Sequence, residues 1–157
     1  MDNPAIQDYY PDEFAHCYGC GRLNAQGLQL KTRWEGETTV SRFTPRAEHT
    51  AMPGFIYGGL VASLIDCHGT GTAALAAVRA AGQAIGDGPA PRYVTASLKV
   101  DFLKPTPQGP ELVVRGTIRE IKGRKVIIEE ELLADGIVTA RGEVVAVQIP
   151  DNMAGKL

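Results

Sequence analysis

The chain has no surplus of either charge: 16 Lys and Arg stand against 18 Asp and Glu, for a formal net charge of −2 and a pI near 5.9. A protein whose main partner is a polyanion needs a broad basic field, so nucleic acid is disfavoured as the principal ligand. Any phosphate contact has to come from a local cluster. Cysteine is scarce and odd in number, three residues among 157, and no N-terminal stretch passes from basic to apolar. A secreted product stapled by disulfides is therefore not expected, and a cytoplasmic location is. An uninterrupted hydrophobic run of membrane length is also missing. The longest apolar segment, Leu60 to Ala81, is broken by Asp66, His68, two glycines, two threonines and Arg79, so it reads as the buried helix of a soluble protein. There is no internal repeat and no low-complexity tract beyond the alanine-rich end of this segment, and the length suits one core rather than two.

What is present divides simply. Residues 1–16 are polar and contain Pro4 and Pro11, which suggests an N-terminal arm with at most a helical turn and little share in the core. Residues 17–150 form the single domain, and 151–157 a short tail. Leu28, Leu30, Thr32 and Trp34 alternate with Gln29, Lys31 and Arg33, and after Glu35-Gly36 a second alternating run extends from Thr38 to Phe43, a hairpin signature. Residues 45–57 have no period of either kind and form a loop. A helix over 58–81 follows, in which Gly69 and Gly71 each cost about 1 kcal/mol relative to alanine, so something is expected to press closely on that turn, most simply a backbone. Three glycines and two prolines between Gly82 and Pro91 end the helix.

Four runs of strand character complete the chain: Tyr93–Leu103, Glu111–Ile121, Arg124–Leu133 and Ile137–Ile149. The turns Lys122-Gly123 and Asp135-Gly136 suit tight hairpins, and an antiparallel meander is the simplest arrangement. The predicted order is β-β-α-β-β-β-β, an α+β domain in which a sheet of about six strands wraps one long helix.

The helix opens on Gly58-Gly59 and carries one carboxylate, Asp66. Glycines at a helix start leave N–H groups free to approach a ligand oxygen, where the helix dipole favours developing negative charge. Asp66 lies about two turns on, roughly 12 Å along the axis, so an acyl group would need help from a strand or a second subunit to bridge the two. A carboxylate in so apolar a helix is desolvated and a stronger base for it, unless it merely bonds the backbone or Thr70 at i+4. His68, two residues after Asp66, points about 200° away and reads as structural or interfacial. Cys17 and Cys20 form a C-x-x-C with His16 beside it, but no second such pair or H-x-x-x-H accompanies them, so no metal site is expected. Lys122, Arg124 and Lys125 gather at a hairpin tip, with Lys99 and Lys104 on the preceding strand.

Three segments in order carry a resemblance: Cys17-Tyr18-Gly19-Cys20-Gly21 with Asn24, Gly27 and Leu28; Pro53-Gly54 through Gly58-Gly59 to Asp66; and Tyr93-Val94-Thr95-Ala96-Ser97-Leu98-Lys99-Val100 through Lys104-Pro105. Together they resemble the hotdog-fold acyl-CoA thioesterases of the phenylacetate-degradation type, close to the Them4 branch. The resemblance implies a hotdog fold, a homodimer or homotetramer, active sites at the subunit interface, and hydrolysis of an acyl-CoA thioester to free acid and CoA with no cofactor besides the coenzyme A of the substrate. It implies Asp66 as nucleophile or general base, Gly58 and Gly59 as oxyanion donors, and Thr95 as the residue that orients water. The family pattern has histidine before the glycine pair; this chain has Tyr57, which offers a hydrogen bond but no proton shuttle near neutrality. That departure keeps a non-catalytic acyl-CoA-binding protein as the rival reading. An acyl-thioester hydratase ranks last, because no histidine is placed to serve Asp66.

In plain strand alternation Thr95 falls with Tyr93, Ser97 and Lys99, away from the apolar face, so it is expected to meet the Asp66 of a partner subunit rather than its own. His49, in the loop before the glycines, is a candidate substrate contact. Lys99, Lys104, Gly123, Arg124 and Lys125 are candidates for holding the phosphates of CoA, and the Cys17/Cys20 segment is expected to be a structural turn.

Overall fold

A computed structural model describes residues 2–150; the expected tail at 151–157 lies outside the described residues. Six strands form one antiparallel sheet: β1 (Arg33–Glu35), β2 (Thr38–Phe43), β3 (Tyr93–Phe102), β4 (Leu112–Lys122), β5 (Lys125–Ala134) and β6 (Ile137–Gln148). One helix, α1 (Gly58–Ala80), lies across it. This is the α+β hotdog arrangement that the sequence pattern and the resemblance led us to expect. α1 is long and apolar enough to cross a membrane, but 78% of its most apolar window is buried inside the domain, as the helix of a sheet-wrapped core has to be.

The strand order is β1-β2-β4-β5-β6-β3, so a simple meander is not what forms. β4, β5 and β6 do follow one another through tight turns. Asp135 and Gly136 both have positive φ, 50° and 76°, the primed turn that matches strand twist. β3, however, pairs with β6 at the far edge. α1 and the segment after it carry the chain to that edge, and the connection after β3 returns it to β4, held by Thr106 against Thr139 (2.7 Å) and by a bridge from Phe55 to Pro107.

α1 packs on the sheet through glycine. At Gly142 a Cβ would lie 2.4 Å from Ile65 Cγ2, and at Gly69 it would lie 2.6 Å from Val144. What presses on the helix is thus side chain rather than backbone, the same being true at Gly71, which faces Gln7 and Thr32. The N-terminal arm also departs from expectation. Its 3₁₀ turns, Ile6–Tyr9 and Asp12–Phe14, bring Ala5, Ile6, Tyr10 and Ala15 into the core, each at most 2% exposed. Polarity averaged over the arm concealed these few apolar residues. The arm also covers one edge of the sheet: Ile6 N–H bonds the Thr32 carbonyl, and Asn3 exchanges bonds with Trp34 and Arg33.

Candidate active site

The sequence places Asp66 at the middle of an apolar helix, yet its side chain is only partly buried. Thr95 Oγ1 donates a 2.5 Å hydrogen bond to Asp66 Oδ1 within the same chain. Thr70, the alternative partner, instead donates to the Cys67 carbonyl at 3.2 Å. The expectation that Thr95 turns away from its own Asp66 is therefore overturned, for a local reason. The register of β3 against β6 shifts between Thr95 and Ser97, so a bulge adds one residue and reverses the alternation. Thr95 pairs with Ala146, then Leu98 with Val144 and Val100 with Gly142; these β6 residues all face α1. Tyr93, Thr95, Leu98, Val100 and Phe102 thus share the helix side.

The start of α1 lies further along the same strand. Tyr57 is the N-cap residue, with no side-chain cap bond, and Leu60 N–H bonds its carbonyl. The Tyr57 ring lies over the first turn, where a Cβ on Gly59 would come 2.5 Å from it; a Cβ on Gly58 would press on Phe102 at 3.3 Å. Glycine at these positions lets an aromatic ring from each side approach the exposed first turn, whose N–H groups an α-helix leaves without intrahelical partners. Beside it a cleft of about 340 Å³ is lined by Ile56, Gly58, Val61, Phe102, Lys104 and Thr106, among others. It is apolar with one cation at its margin, a shape that suits a flexible chain ending in a polar group.

His49 is 5% exposed and committed locally: its Nδ1 accepts from Arg46 N–H at 2.9 Å, its ring lies 5.6 Å from that of Phe43, and its carbonyl accepts from Tyr57 N–H. Burial, then the Arg46 charge, holds its imidazole below the usual histidine range. It braces the segment leading into Tyr57.

The basic cluster is not brought together. Lys104 stands at the cleft by Gly58. Lys99 is on the outer side of β3, 3.7 Å from Asp101, in a separate charged recess with Arg115, Glu129 and Arg141. Gly123 (φ +60°), Arg124 and Lys125 form the β4–β5 turn at the opposite end of the sheet, where Lys125 pairs with Val147 and the Arg124 carbonyl accepts from Gln148 N–H. Strand order separates what sequence position seemed to collect.

Two buried groups escaped the sequence reading. Glu130 lies inward on β5, 3% exposed, between Gly116 and Gly142 on the neighbouring strands, and neither of its oxygens has a hydrogen-bond partner. Burial pushes its carboxyl well above the usual range, and the charge of Asp66 adds to this. Both influences favour its protonated form. The run Glu129-Glu130-Glu131 hid it, because only strand alternation distinguishes its inward member from the solvated pair. The second is Cys67. It joins Cys17 and Cys20 so that the three sulfurs lie within 4.8 Å of one another; a spacing motif cannot show a third thiol 50 residues away on a helix.

The fold and the placement of these residues define the class, a hotdog protein with its carboxylate on the central helix. The model of the Thioesterase superfamily matches residues 53–141, more than half of the chain, which therefore belongs to that family. It is 34% identical over 90 residues to acyl-coenzyme A thioesterase THEM4 of Mus musculus, a match covering 57% of this chain and 33% of that protein. Against acyl-coenzyme A thioesterase THEM4 of Rattus norvegicus it is 32% identical over 77 residues, covering 49% and 27% respectively. The match thus spans a third or less of these curated relatives. Among solved structures, a Thioesterase superfamily protein from Shewanella loihica PV-4 is 48% identical, with a TM-score of 0.68, over 88% of this chain and 98% of that one.

Proposed function

We propose that the chain hydrolyses an acyl-CoA thioester to the free acid and CoA, at a site completed between two subunits. The observation that carries this reading is the Asp66–Thr95 hydrogen bond, which holds one carboxylate oxygen and leaves the other to act. Asp66 either takes the proton of a water that attacks the thioester carbonyl or attacks it directly and is then released by water; in both routes C–S cleavage returns the thiol of CoA. Thr95 fixes the carboxylate, so its role is positioning.

The carbonyl oxygen needs donors where charge develops, and Gly58 and Gly59 offer the first-turn N–H groups. Those lie roughly 12 Å along α1 from the Asp66 of the same chain, too far for one thioester to touch both. A second copy supplies the missing half. What crosses between subunits in this arrangement is the glycine turn with Tyr57, while Asp66 and Thr95 come as a unit. The bare β3 edge, with Val94, Leu98 and Phe102 exposed, supports pairing there, since an open strand edge with apolar side chains seeks a partner. A homodimer is the smallest assembly that completes the site, and light scattering of the purified chain tests it; a homotetramer is the larger family pattern. Lys104, at the cleft margin, is the basic residue best placed for the polar portion of CoA, which makes coenzyme A a substrate component rather than a cofactor.

The test is thiol release from short, medium, long and aromatic acyl-CoAs by the unmodified chain and by Asp66→Asn. Release that disappears in the variant, with fold and assembly intact, supports hydrolysis. Tyr57 in place of histidine, its ring lying on Gly59, favours one second reading, a binding protein without turnover. Acyl-CoAs that raise the melting temperature yet release no thiol would establish it instead.

A further inference from the structure

We propose that Cys17, Cys20 and Cys67 hold a zinc ion that ties the N-terminal segment to α1 next to Asp66. The three cysteines are unbridged, two of them buried, and the sulfur spacing is that of a metal site. Zn–S bonds of about 2.3 Å in a tetrahedron put neighbouring sulfurs about 3.8 Å apart; Cys17 Sγ and Cys67 Sγ are 3.8 Å apart, and all three sulfurs fall within 4.8 Å. A disulfide would need one pair to close to about 2.05 Å and would leave the third thiol idle. A metal uses all three as they stand.

The turn is built for this. In Cys17-Tyr18-Gly19-Cys20-Gly21 the Gly21 N–H folds back on the Cys17 carbonyl at 2.7 Å. Gly19 admits the helix: a Cβ there would lie 2.2 Å from Cys67 Sγ. At Gly21 a Cβ would meet the Cys17 and Ala15 backbone at 2.5 Å, so the turn closes only with glycine.

Two further groups point to a charged occupant. The Tyr10 hydroxyl is buried, has no hydrogen-bond partner among the described residues, and belongs to the same core cluster as Cys20 and Cys67, against which Cys17 packs. The Arg92 guanidinium lies 5.0 Å from the Tyr10 ring. Three thiolates around one divalent ion leave a net single negative charge, which the partly buried Arg92 guanidinium nearby would offset. The fourth coordination position falls to water or a small added ligand, so the chemistry selects a soft-ligand divalent metal, and zinc is the one that needs no redox partner. Because Cys67 follows Asp66 directly, the ion would fix the turn of α1 that presents the carboxylate.

The full chain, purified under reducing conditions without chelator, tests this by metal content and by cobalt(II) exchange. One zinc per chain is expected, replaced by cobalt with a thiolate-to-metal charge-transfer band; chelation should expose three reactive thiols and lower the melting temperature. Cys17→Ser, at the partly exposed corner, should lose the band while circular dichroism shows the fold retained, and Cys20→Ser should lose it as well. Reduced, folded protein that gives no cobalt–thiolate band would overturn the site. So would zinc bound equally well by Cys17→Ser, or a chain isolated two hydrogens lighter with a Cys17–Cys67 disulfide and no affinity for zinc after reduction.

Discussion

Asp66 and His68 sit two residues apart on α1, and the fold treats them in opposite ways. Asp66 is partly exposed, and among the described residues its one side-chain hydrogen bond comes from Thr95, to Oδ1. His68 is fully buried and tied at both nitrogens, Ser41 Oγ 2.7 Å from Nδ1 and Thr39 Oγ1 3.0 Å from Nε2. The chain of hydroxyls continues from Thr39 to Thr72 (2.6 Å) and from Ser41 through Thr32 to Gln7, so it joins helix, sheet and N-terminal arm. Gly116 makes room for the imidazole, since a Cβ there would lie 2.8 Å from Nε2. A fully satisfied buried network specifies packing; a half-satisfied carboxylate at an edge is available for chemistry. One helix thus carries a structural bolt on one face and, on the other, the carboxylate that the proposed hydrolysis would use.

The comparison breaks most sharply if Asp66 is neutralised. Asp66→Asn should lower thioester turnover by about a thousandfold, the scale of a lost base or nucleophile, while leaving the melting temperature within a degree or two of the parent. A large loss of stability would mean that Asp66 belongs to the framework after all.

His68 should show the reverse. Burial holds its imidazole down at about 3, well below the ordinary histidine value of 6.5, so the folded state favours the neutral ring while the unfolded chain takes up a proton. The stabilisation is fully present above the unfolded value and is lost as pH falls toward the folded one, roughly 3 kcal/mol by pH 4. Urea unfolding followed from pH 7 to pH 4 should show this slope in the parent and a reduced one in His68→Gln; equal slopes would remove His68 as its source.

A smaller effect is expected at Thr95. Thr95→Ala removes a hydrogen bond to a charged group, about 1.5–3 kcal/mol, and should lower kcat by tenfold to a hundredfold with KM nearly unchanged. Thr95→Ser should restore most of the rate, which a packing defect would not allow.

Glu130 sharpens the contrast with the least visible change. Its raised carboxyl favours the protonated folded state, so its contribution is fully present below the ordinary carboxyl range and is lost as pH rises toward the elevated folded value. Glu130→Gln keeps the shape without the charge and should gain stability over the parent progressively as pH rises above the ordinary carboxyl range, until the folded carboxyl ionises; a constant difference at all pH values would assign Glu130 no titrating role.

The two edges of the sheet repeat the lesson on a larger scale. β1 is three residues long and covered by the N-terminal arm, and Arg79 stacks on Trp34 beside it, 3.4 Å above the ring. β3 is ten residues long, and no strand among the described residues pairs with its outer side. A covered edge closes the domain, whereas a bare one leaves a place for a second copy.

Sequence alone determined the element order, the helix limits to within one residue and the four long strands, and it singled out Asp66 as the candidate for chemistry. Local periodicity and turn chemistry act over short spans and are written directly in residue order. Tertiary structure decided the rest. The position of β3 beside β6, the meeting of Asp66 with its own Thr95, the scattering of the basic residues, the inward turn of Glu130 and the arrival of Cys67 at Cys17 and Cys20 all depend on contacts between distant segments. One bulge at Ala96 was enough to reverse the reading of Thr95, because strand faces alternate with a period of two and a single inserted residue exchanges them.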